Sequence, residues 1–244
     1  SVFDNGSFSN LEQPGSPIEI DAIQGTIMNQ AQFRKFANYN SAVFNFVVDT
    51  DGSANETAGV RWYEIRQDSD SDSWYIFQEG TYTSPNGKHA WLASMGIDMN
   101  GNIAMGYSGM GGTTNTYVSS YYTGRFENDP LGVMTIQETL LDAGGSNISG
   151  TNRYGDYSKL ALDPSNQKDF WFITEYKHGS QISNPVGVFQ IVSDNDYDLG
   201  VVDIPSPTSS AFSGPVNVTA SIYNYGQSPV SNFNVYYQVD GGSQ

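Results

Sequence analysis

The chain has 244 residues, a formal net charge of −16 and no cysteine. Such an acidic surface repels phosphate backbones and anionic lipid, which argues against nucleic-acid binding and against docking on a membrane. The lack of cysteine excludes disulfides, thiol nucleophiles and thiolate metal sites. No run of about 18 apolar residues is present, so membrane insertion is not expected.

The residue composition favours strands. The chain contains 16 Tyr and 13 Phe, which are residues that favour strands, while Gly, Ser, Asn and Thr supply turns between them. No long stretch repeats its apolar residues with the 3.6-residue period of an amphipathic helix. The sequence therefore predicts an all-β protein built from many short strands.

A hairpin pattern with a central aspartate occurs three times. In each copy an apolar run meets the aspartate, a turn follows, and a second apolar run leads away. The copies lie at residues 43–65, 93–108 and 159–174, with Asp49, Asp98 and Asp163 as equivalent markers. Successive markers are roughly 50 to 65 residues apart, close to the longer propeller repeats of about 40–50 residues. We therefore expect β-propeller blades in which these aspartates form turns.

The pattern changes near residue 198. A short predicted strand at 199–204 is followed by a loop rich in Pro and Ser at 205–215. Residues 216–226 and 233–239 alternate apolar and polar side chains, as the strands of an antiparallel sandwich do. We expect two segments, which are propeller blades over 1–198 and the N-terminal part of an Ig-like β-sandwich over 199–244.

Six motifs follow one another in the first segment: AGVRWYEIR at 58–66, QEGTY at 78–82, MNGNIAMGYS at 99–108, YTGR at 122–125, DPLG at 129–132 and NRYGDYS at 152–158. Together they resemble the last blades of a secreted, sialidase-like β-propeller family found in large bacterial exported proteins. The resemblance implies four-stranded antiparallel blades that form part of a larger ring. The remainder of the same protein, or a partner chain, would then complete the ring.

The second segment carries a separate resemblance. The stretches VTASIYNYGQS at 218–228 and VYYQVDGG at 235–242 resemble the CARDB-type Ig-like modules of bacterial cell-surface proteins, notably Bacteroidetes cargo of the type IX secretion system. These modules are spacers and adhesion elements. The resemblance implies a secreted or cell-surface location, and the chain is expected to be a fragment of a longer protein.

Three arginines lie within aromatic-rich motifs, at Arg61, Arg125 and Arg153. Sialidases hold a substrate carboxylate with three arginines, because guanidinium groups form bidentate hydrogen bonds with carboxylates, and pair a Tyr with a Glu as nucleophile. A comparable set can be assembled from residues of this chain. Candidates for the Tyr/Glu pair are Tyr63, Glu64, Tyr121 and Tyr122.

A structural interpretation of the same arginines is also open. Alternate residues of an extended strand share a face, so Arg61 lies with Tyr63, and Arg125 lies with Tyr121. Each arginine could stack on its aromatic neighbour and bridge to an acidic group such as Asp156. Arg61, Tyr63, Tyr121, Arg125, Arg153 and Asp156 are therefore candidates for ligand binding or for packing between blades.

One acidic turn is a candidate calcium site. Asp49, Asp51, Ser53, Asn55 and Glu56 place oxygen ligands at near-alternate positions, which suits a hard cation. The turn departs from an EF-hand loop in its length and in the position of its glycine. The alternative is an acidic turn that is only solvated.

The function expected from these features is that of a non-enzymatic extracellular surface module for adhesion, surface assembly, or binding of glycans or proteins. Blades and sandwich spacers present ligands on loops without needing catalytic groups. One alternative is a sialidase-like glycoside hydrolase acting on an acidic sugar. Another is a propeller appended to a secreted peptidase. No cofactor other than calcium is indicated.

Overall fold

The structure is a computed structural model that describes residues 3, 10–24, 27–51, 56–192, 198–207, 215–226 and 228–237. The chain divides into two compact units, Ser1–Ile191 and Val192–Gln244. Apart from one 3₁₀ turn at Pro85–Gly87, every regular element among the described residues is a strand. All the paired strands are antiparallel, so the all-β prediction is confirmed.

Sheet 1 contains four strands in chain order, β1 (Gln32–Lys35), β2 (Asn40–Asp49), β3 (Ala58–Gln67) and β4 (Tyr75–Tyr82). Along β2 the side chains alternate in burial from Val43 onwards, because one face of the sheet packs on the protein core and the other does not. The buried face of sheet 1 carries Val43, Val60 and Trp62.

Sheet 2 repeats the same order with β5 (Lys88–Ile97), β6 (Ile103–Gly111), β7 (Thr116–Arg125) and β8 (Ile136–Asp142). Every residue of β5 and β6 is buried. Strands covered on both faces are rich in apolar and small residues rather than alternating. Sheet 2 is therefore the central sheet of the unit.

Sheet 3 has three strands, in the spatial order β13–β10–β9, with ranges β9 (Lys159–Leu162), β10 (Phe170–Ile173) and β13 (Val186–Phe189). A small hairpin of β11 (Tyr176–His178) and β12 (Gln181–Ser183) interrupts the chain between β10 and β13. In β10, Phe170 and Phe172 are buried while Trp171 and Ile173 are exposed. Sheet 3 thus has one buried and one open face.

The three sheets stack face to face with sheet 2 in the middle. Met105 and Tyr107 on one face of sheet 2 share a core with Trp62 of sheet 1. On its other face, Gly106 is so close to Phe172 of sheet 3 that an added Cβ would lie under 3.0 Å from the ring carbons. A missing side chain on one sheet therefore makes room for an aromatic ring on the next.

The three marker aspartates form turns, as predicted. Asp98 Oδ1 accepts hydrogen bonds from the backbone N–H groups of Asn100 and Asn102, at 2.8 and 2.9 Å. Asp49 and Asp163 accept in the same way from the residue two positions further on. These are Asx turns, in which the carboxylate replaces a backbone carbonyl.

The three marker aspartates do not follow the same strand in their respective sheets, however. Asp98 and Asp163 follow the first strands of sheets 2 and 3, whereas Asp49 ends the second strand of sheet 1. The difference arises because the short strand β1 pairs with β2 and extends sheet 1 at that side.

The segment 10–24 is tied to a distant part of unit 1. The Gln13 side chain donates to the Ile148 carbonyl at 3.0 Å and accepts from the Ile148 N–H at 2.7 Å. The Asp21 N–H donates to the Asn152 carbonyl at 3.0 Å. Leu11 and Ile20 are fully buried in the same core cluster as Ile148. This arrangement, the Gln13 clasp, joins residues that are 135 positions apart.

The second unit contains one described strand pair, β14 (Leu199–Ser206) with β15 (Thr219–Asn224). The strand predicted at 199–204 is confirmed and extends to Ser206, into the stretch expected to be a loop. The strand predicted at 233–239 is not formed over its described part, 233–237.

Candidate functional site

A cleft of about 560 Å³ lies in unit 1 beside the loop that precedes β9. The groups that line it include both charge signs, an amide and an aromatic ring: Arg153, Asp156, Tyr157, Lys159, Glu175 and Asn184. Its volume is within the range of about 300–1,000 Å³ typical of ligand pockets. Residues 153–158 of the motif NRYGDYS line the cleft, and they include two of the predicted candidates, Arg153 and Asp156.

Some residues of the NRYGDYS motif anchor its loop to the core, and others line the cleft. Tyr154 is buried, with its ring 6.2 Å from that of Trp91, and its hydroxyl donates to the Glu175 carbonyl. Ser158 is also buried, and its hydroxyl donates to the Leu92 carbonyl at 2.6 Å. These two contacts fix the loop to the core. The side chains of the residues between them are left to line the cleft.

Gly155 allows the loop to turn between its two anchors. Its φ is +52°, a left-handed conformation that favours glycine. An added Cβ would also lie under 3.0 Å from the Leu92 side chain. Local backbone geometry and close packing therefore both require glycine at this position.

The charged groups of the cleft are solvated. Arg153 Nη2 lies 2.5 Å from Asp156 Oδ2, with 57% and 38% of the two side chains exposed. An ion pair at this exposure contributes at most about 1 kcal/mol to stability. Burial raises the pKa of the Tyr154 hydroxyl, so this group stays protonated and holds its hydrogen bond. The expected bridge between an arginine and Asp156 is present, within one loop.

Arg61 lies elsewhere, on the open face of sheet 1. Its guanidinium carbon is 5.0 Å from the centre of the Tyr63 ring, and Nε donates to the Tyr63 hydroxyl at 3.2 Å. Arg61 also pairs with Glu79. The hydrogen bond to Tyr63 is the main cause of its raised pKa. The predicted stacking of Arg61 on Tyr63 is confirmed.

Arg125 has a structural environment. It is 1% exposed, and its guanidinium donates to the carbonyls of Val133 at 3.2 Å and Asp129 at 2.5 Å. Burial lowers its pKa, and the charge of Asp129 opposes this shift. Arg125 therefore holds together the loop between β7 and β8.

Tyr121 has different partners from Arg125. Its ring stacks on Tyr107 at 5.8 Å and lies 5.3 Å from the Lys88 ammonium. The expected pairing of Arg125 with Tyr121 is thus not formed. The chain turns back after β7 and brings backbone carbonyls to the arginine, which bonds to them instead. Arg61, Arg125 and Arg153 each have their own set of partners.

The candidate calcium turn is described only in part. Ser53 and Asn55 lie outside the described residues. Asp49 Oδ1 accepts from the Asp51 N–H at 3.2 Å, and Asp51 Oδ2 accepts from the Thr57 hydroxyl at 3.1 Å. Within the ranges that the structure describes, no group of three or more His, Asp or Glu side chains is placed to hold a metal ion. Calcium binding stays a prediction.

One buried polar cluster was not anticipated from the sequence. Glu138 accepts from the Lys88 ammonium at 2.6 Å and from the Tyr107 hydroxyl at 2.5 Å. Tyr82 and Tyr107 share a hydrogen bond of 2.9 Å, and burial raises the pKa of Tyr82 to about 12. Glu138 is on β8 and its partners are on or near β4, β5 and β6. Only strand register brings these groups together, so no local motif could have revealed them.

No known family model and no curated protein matches the chain. Among the described residues, no helix is long and apolar enough to cross a membrane.

Proposed function

We propose that this chain is a non-enzymatic module of a secreted bacterial surface protein and that it acts in adhesion or surface assembly. In this proposal unit 1 is part of a β-propeller, and unit 2 is the beginning of an Ig-like module of the CARDB type. The stacking of antiparallel sheets in chain order supports the first assignment. The antiparallel pair β14–β15 supports the second.

The open face of sheet 3 carries the proposal. Trp171 is paired across the strands with Val188, and Ile173 is paired with Val186. All four side chains are at least 40% exposed. A contiguous apolar face of this kind is typical of a surface that packs against another protein segment. Since the opposite face of sheet 3 packs on sheet 2, a further sheet on the open face would continue the stack.

The open face of sheet 1 has a similar character. The rings of Phe44 and Phe46 stack on Tyr63 with centres 5.3 and 6.1 Å apart. Arg61 lies over Tyr63 and pairs with Glu79 at the border of this surface. Both ends of the three-sheet stack therefore offer aromatic or aliphatic surface to a neighbouring blade. The remainder of the same protein, or a partner chain, would supply these blades.

The hydrolase alternative has less support. A sialidase-like site needs its arginines to converge on one carboxylate, but Arg125 is buried and bonded to loop carbonyls, and Arg61 and Arg153 have other partners. The peptidase alternative rests on no residue that the structure describes. Binding without turnover is therefore the activity that we propose.

Fluorescence quenching tests whether the open face of sheet 3 is a docking surface. Trp62 and Trp91 are fully buried, while Trp74 and Trp171 are exposed, so in a Trp74→Phe variant Trp171 is the accessible indole. Acrylamide is a suitable quencher because it is uncharged and is not repelled by the acidic chain. We expect strong quenching of Trp171 in this 244-residue chain and weak quenching in the full-length secreted protein.

The Trp74→Phe/Trp171→Phe variant provides the matched control in both proteins, because the difference between its quenching and that of Trp74→Phe isolates the contribution of Trp171. If Trp171 is quenched equally in the chain and in the full-length protein, no further sheet covers this face and the proposal fails. Turnover of a fluorogenic sialoside that is lost on Arg153→Ala would also overturn it, in favour of the hydrolase.

A further inference from the structure

The cleft beside β9 has the features of a preformed binding site. Its loop is anchored by the buried Tyr154 and Ser158, which bond to backbone carbonyls of two other segments. Thr174, at its base, is also buried and shares a hydrogen bond of 3.1 Å with Ser108. A site held in this way loses little conformational entropy when a ligand binds.

Tyr157 supplies an aromatic platform at the cleft. Its side chain is 74% exposed, although the two anchors on either side of it are buried. An exposed ring offers a flat apolar surface with a hydroxyl at its edge. Ligands that match such a ring have an apolar face bordered by polar groups.

The polar groups around Tyr157 are balanced in charge. Arg153 and Lys159 are cationic, and Asp156 and Glu175 are anionic. Together with the Asn184 amide they offer hydrogen-bond donors and acceptors side by side. This balanced lining gives a phosphate or a nucleic acid no net attraction, and the net charge of −16 repels both. A neutral ligand with many hydroxyl groups can use both kinds of partner.

We infer that the cleft binds a neutral oligosaccharide, with one sugar ring stacked on Tyr157 and its hydroxyl groups bonded to the surrounding charged side chains. The C–H face of a pyranose ring is apolar and its rim is polar, which is the match that Tyr157 and its neighbours require. The neutral charge of the lining favours an uncharged sugar over an acidic one. The cleft borders the open face of sheet 3 and shares Ile173 with it, but Tyr157 and the charged groups of its loop, which would hold the sugar, are not part of that face.

Isothermal titration of the intact chain with maltohexaose, cellohexaose, xylohexaose and mannohexaose tests the inference. We expect at least one of these neutral sugars to bind with a Kd below about 1 mM. Tyr157→Ala should weaken this binding by about tenfold, the upper range for one aromatic stacking contact. Tyr157→Phe keeps the ring and should retain most of the affinity.

Tyr236→Ala is the matched control, since Tyr236 is a tyrosine of the other unit with 70% exposure. It should leave sugar binding unchanged. 3′-Sialyllactose and polygalacturonate form the acidic arm of the titration. The inference is wrong if no neutral sugar binds at about 10 mM, if only the acidic sugars bind, or if Tyr157→Ala binds like the wild type. The titration uses the 244-residue chain alone, so its outcome is distinct from the quenching comparison that tests whether a further sheet covers sheet 3.

Discussion

Replacing Gly106 by alanine should destabilise the contact between sheets 2 and 3. The added Cβ would lie under 3.0 Å from three carbons of the Phe172 ring. Phe172 is fully buried with Phe170 and Leu160 in the core of sheet 3, so its ring has little room to move. Overpacking of this kind costs about 1–3 kcal/mol of unfolding free energy. A loss of 2 kcal/mol would lower Tm by about 4–8 °C in a unit of this size.

A double-mutant cycle of Gly106→Ala with Phe172→Leu gives the cause of the loss. Urea unfolding, followed by circular dichroism, measures the free energy of unfolding for each variant. Because leucine is smaller than phenylalanine, Gly106→Ala should cost less unfolding free energy in the Phe172→Leu background. The difference between the two costs, the coupling energy, should be at least about 0.5 kcal/mol. Gly145→Ala is the control, because Gly145 is exposed and the atoms nearest to its new Cβ would belong to the exposed ring of His178, 3.1 Å away. Additive losses, or an unchanged Gly106→Ala, would refute the packing argument.

Two further predictions concern buried ionisable groups. Burial lowers the pKa of His89 to about 4, and its Nδ1 accepts the Ala58 N–H at 3.2 Å. In the unfolded chain the imidazole takes up a proton below its unfolded pKa of about 6.5, whereas in the folded protein it stays neutral down to about pH 4. The free energy of unfolding should therefore fall by about 3 kcal/mol between neutral pH and pH 4. His89→Asn keeps an acceptor without titrating, so its urea midpoint should vary less over this pH range; an unchanged pH profile would contradict the assignment. Arg125→Met leaves the Asp129 carbonyl without its buried donor and should cost about 3 kcal/mol in thermal unfolding, whereas a loss below about 0.5 kcal/mol would mean that Arg125 does not hold its loop.

Features that depend on neighbouring residues could be predicted from the sequence. The turn at Asp98 forms because its carboxylate accepts the backbone N–H of the residue two positions later. Arg61 stacks on Tyr63 because every second side chain of a strand lies on the same face. Both were predicted correctly. Strand content was also predicted, because Tyr, Phe and β-branched residues are distributed in short runs.

Features that depend on distant contacts were missed. Alternation placed Arg125 with Tyr121, but the carbonyls that hold Arg125 come from the loop after its own strand. The cluster of Lys88, Tyr107 and Glu138 requires the register of a whole sheet. In the cleft, the sequence singled out Arg153 and Asp156, yet it could not show that Tyr157 is exposed while Tyr154 is buried. Two tyrosines three positions apart in one loop are distinguished only by their packing.

The Gln13 clasp has a consequence for the order of folding. Strands β5 to β8 pair with neighbours in the chain, so sheet 2 can form through short loop closures that cost little entropy. Gln13 meets Ile148 across 135 positions, which makes its closure the more costly step. The loop that shapes the cleft begins only a few residues after Ile148. On refolding, the chain would therefore complete its sheets first, and the contacts of residues 10–24 with Ile148 and Asn152, beside the cleft loop, would form last.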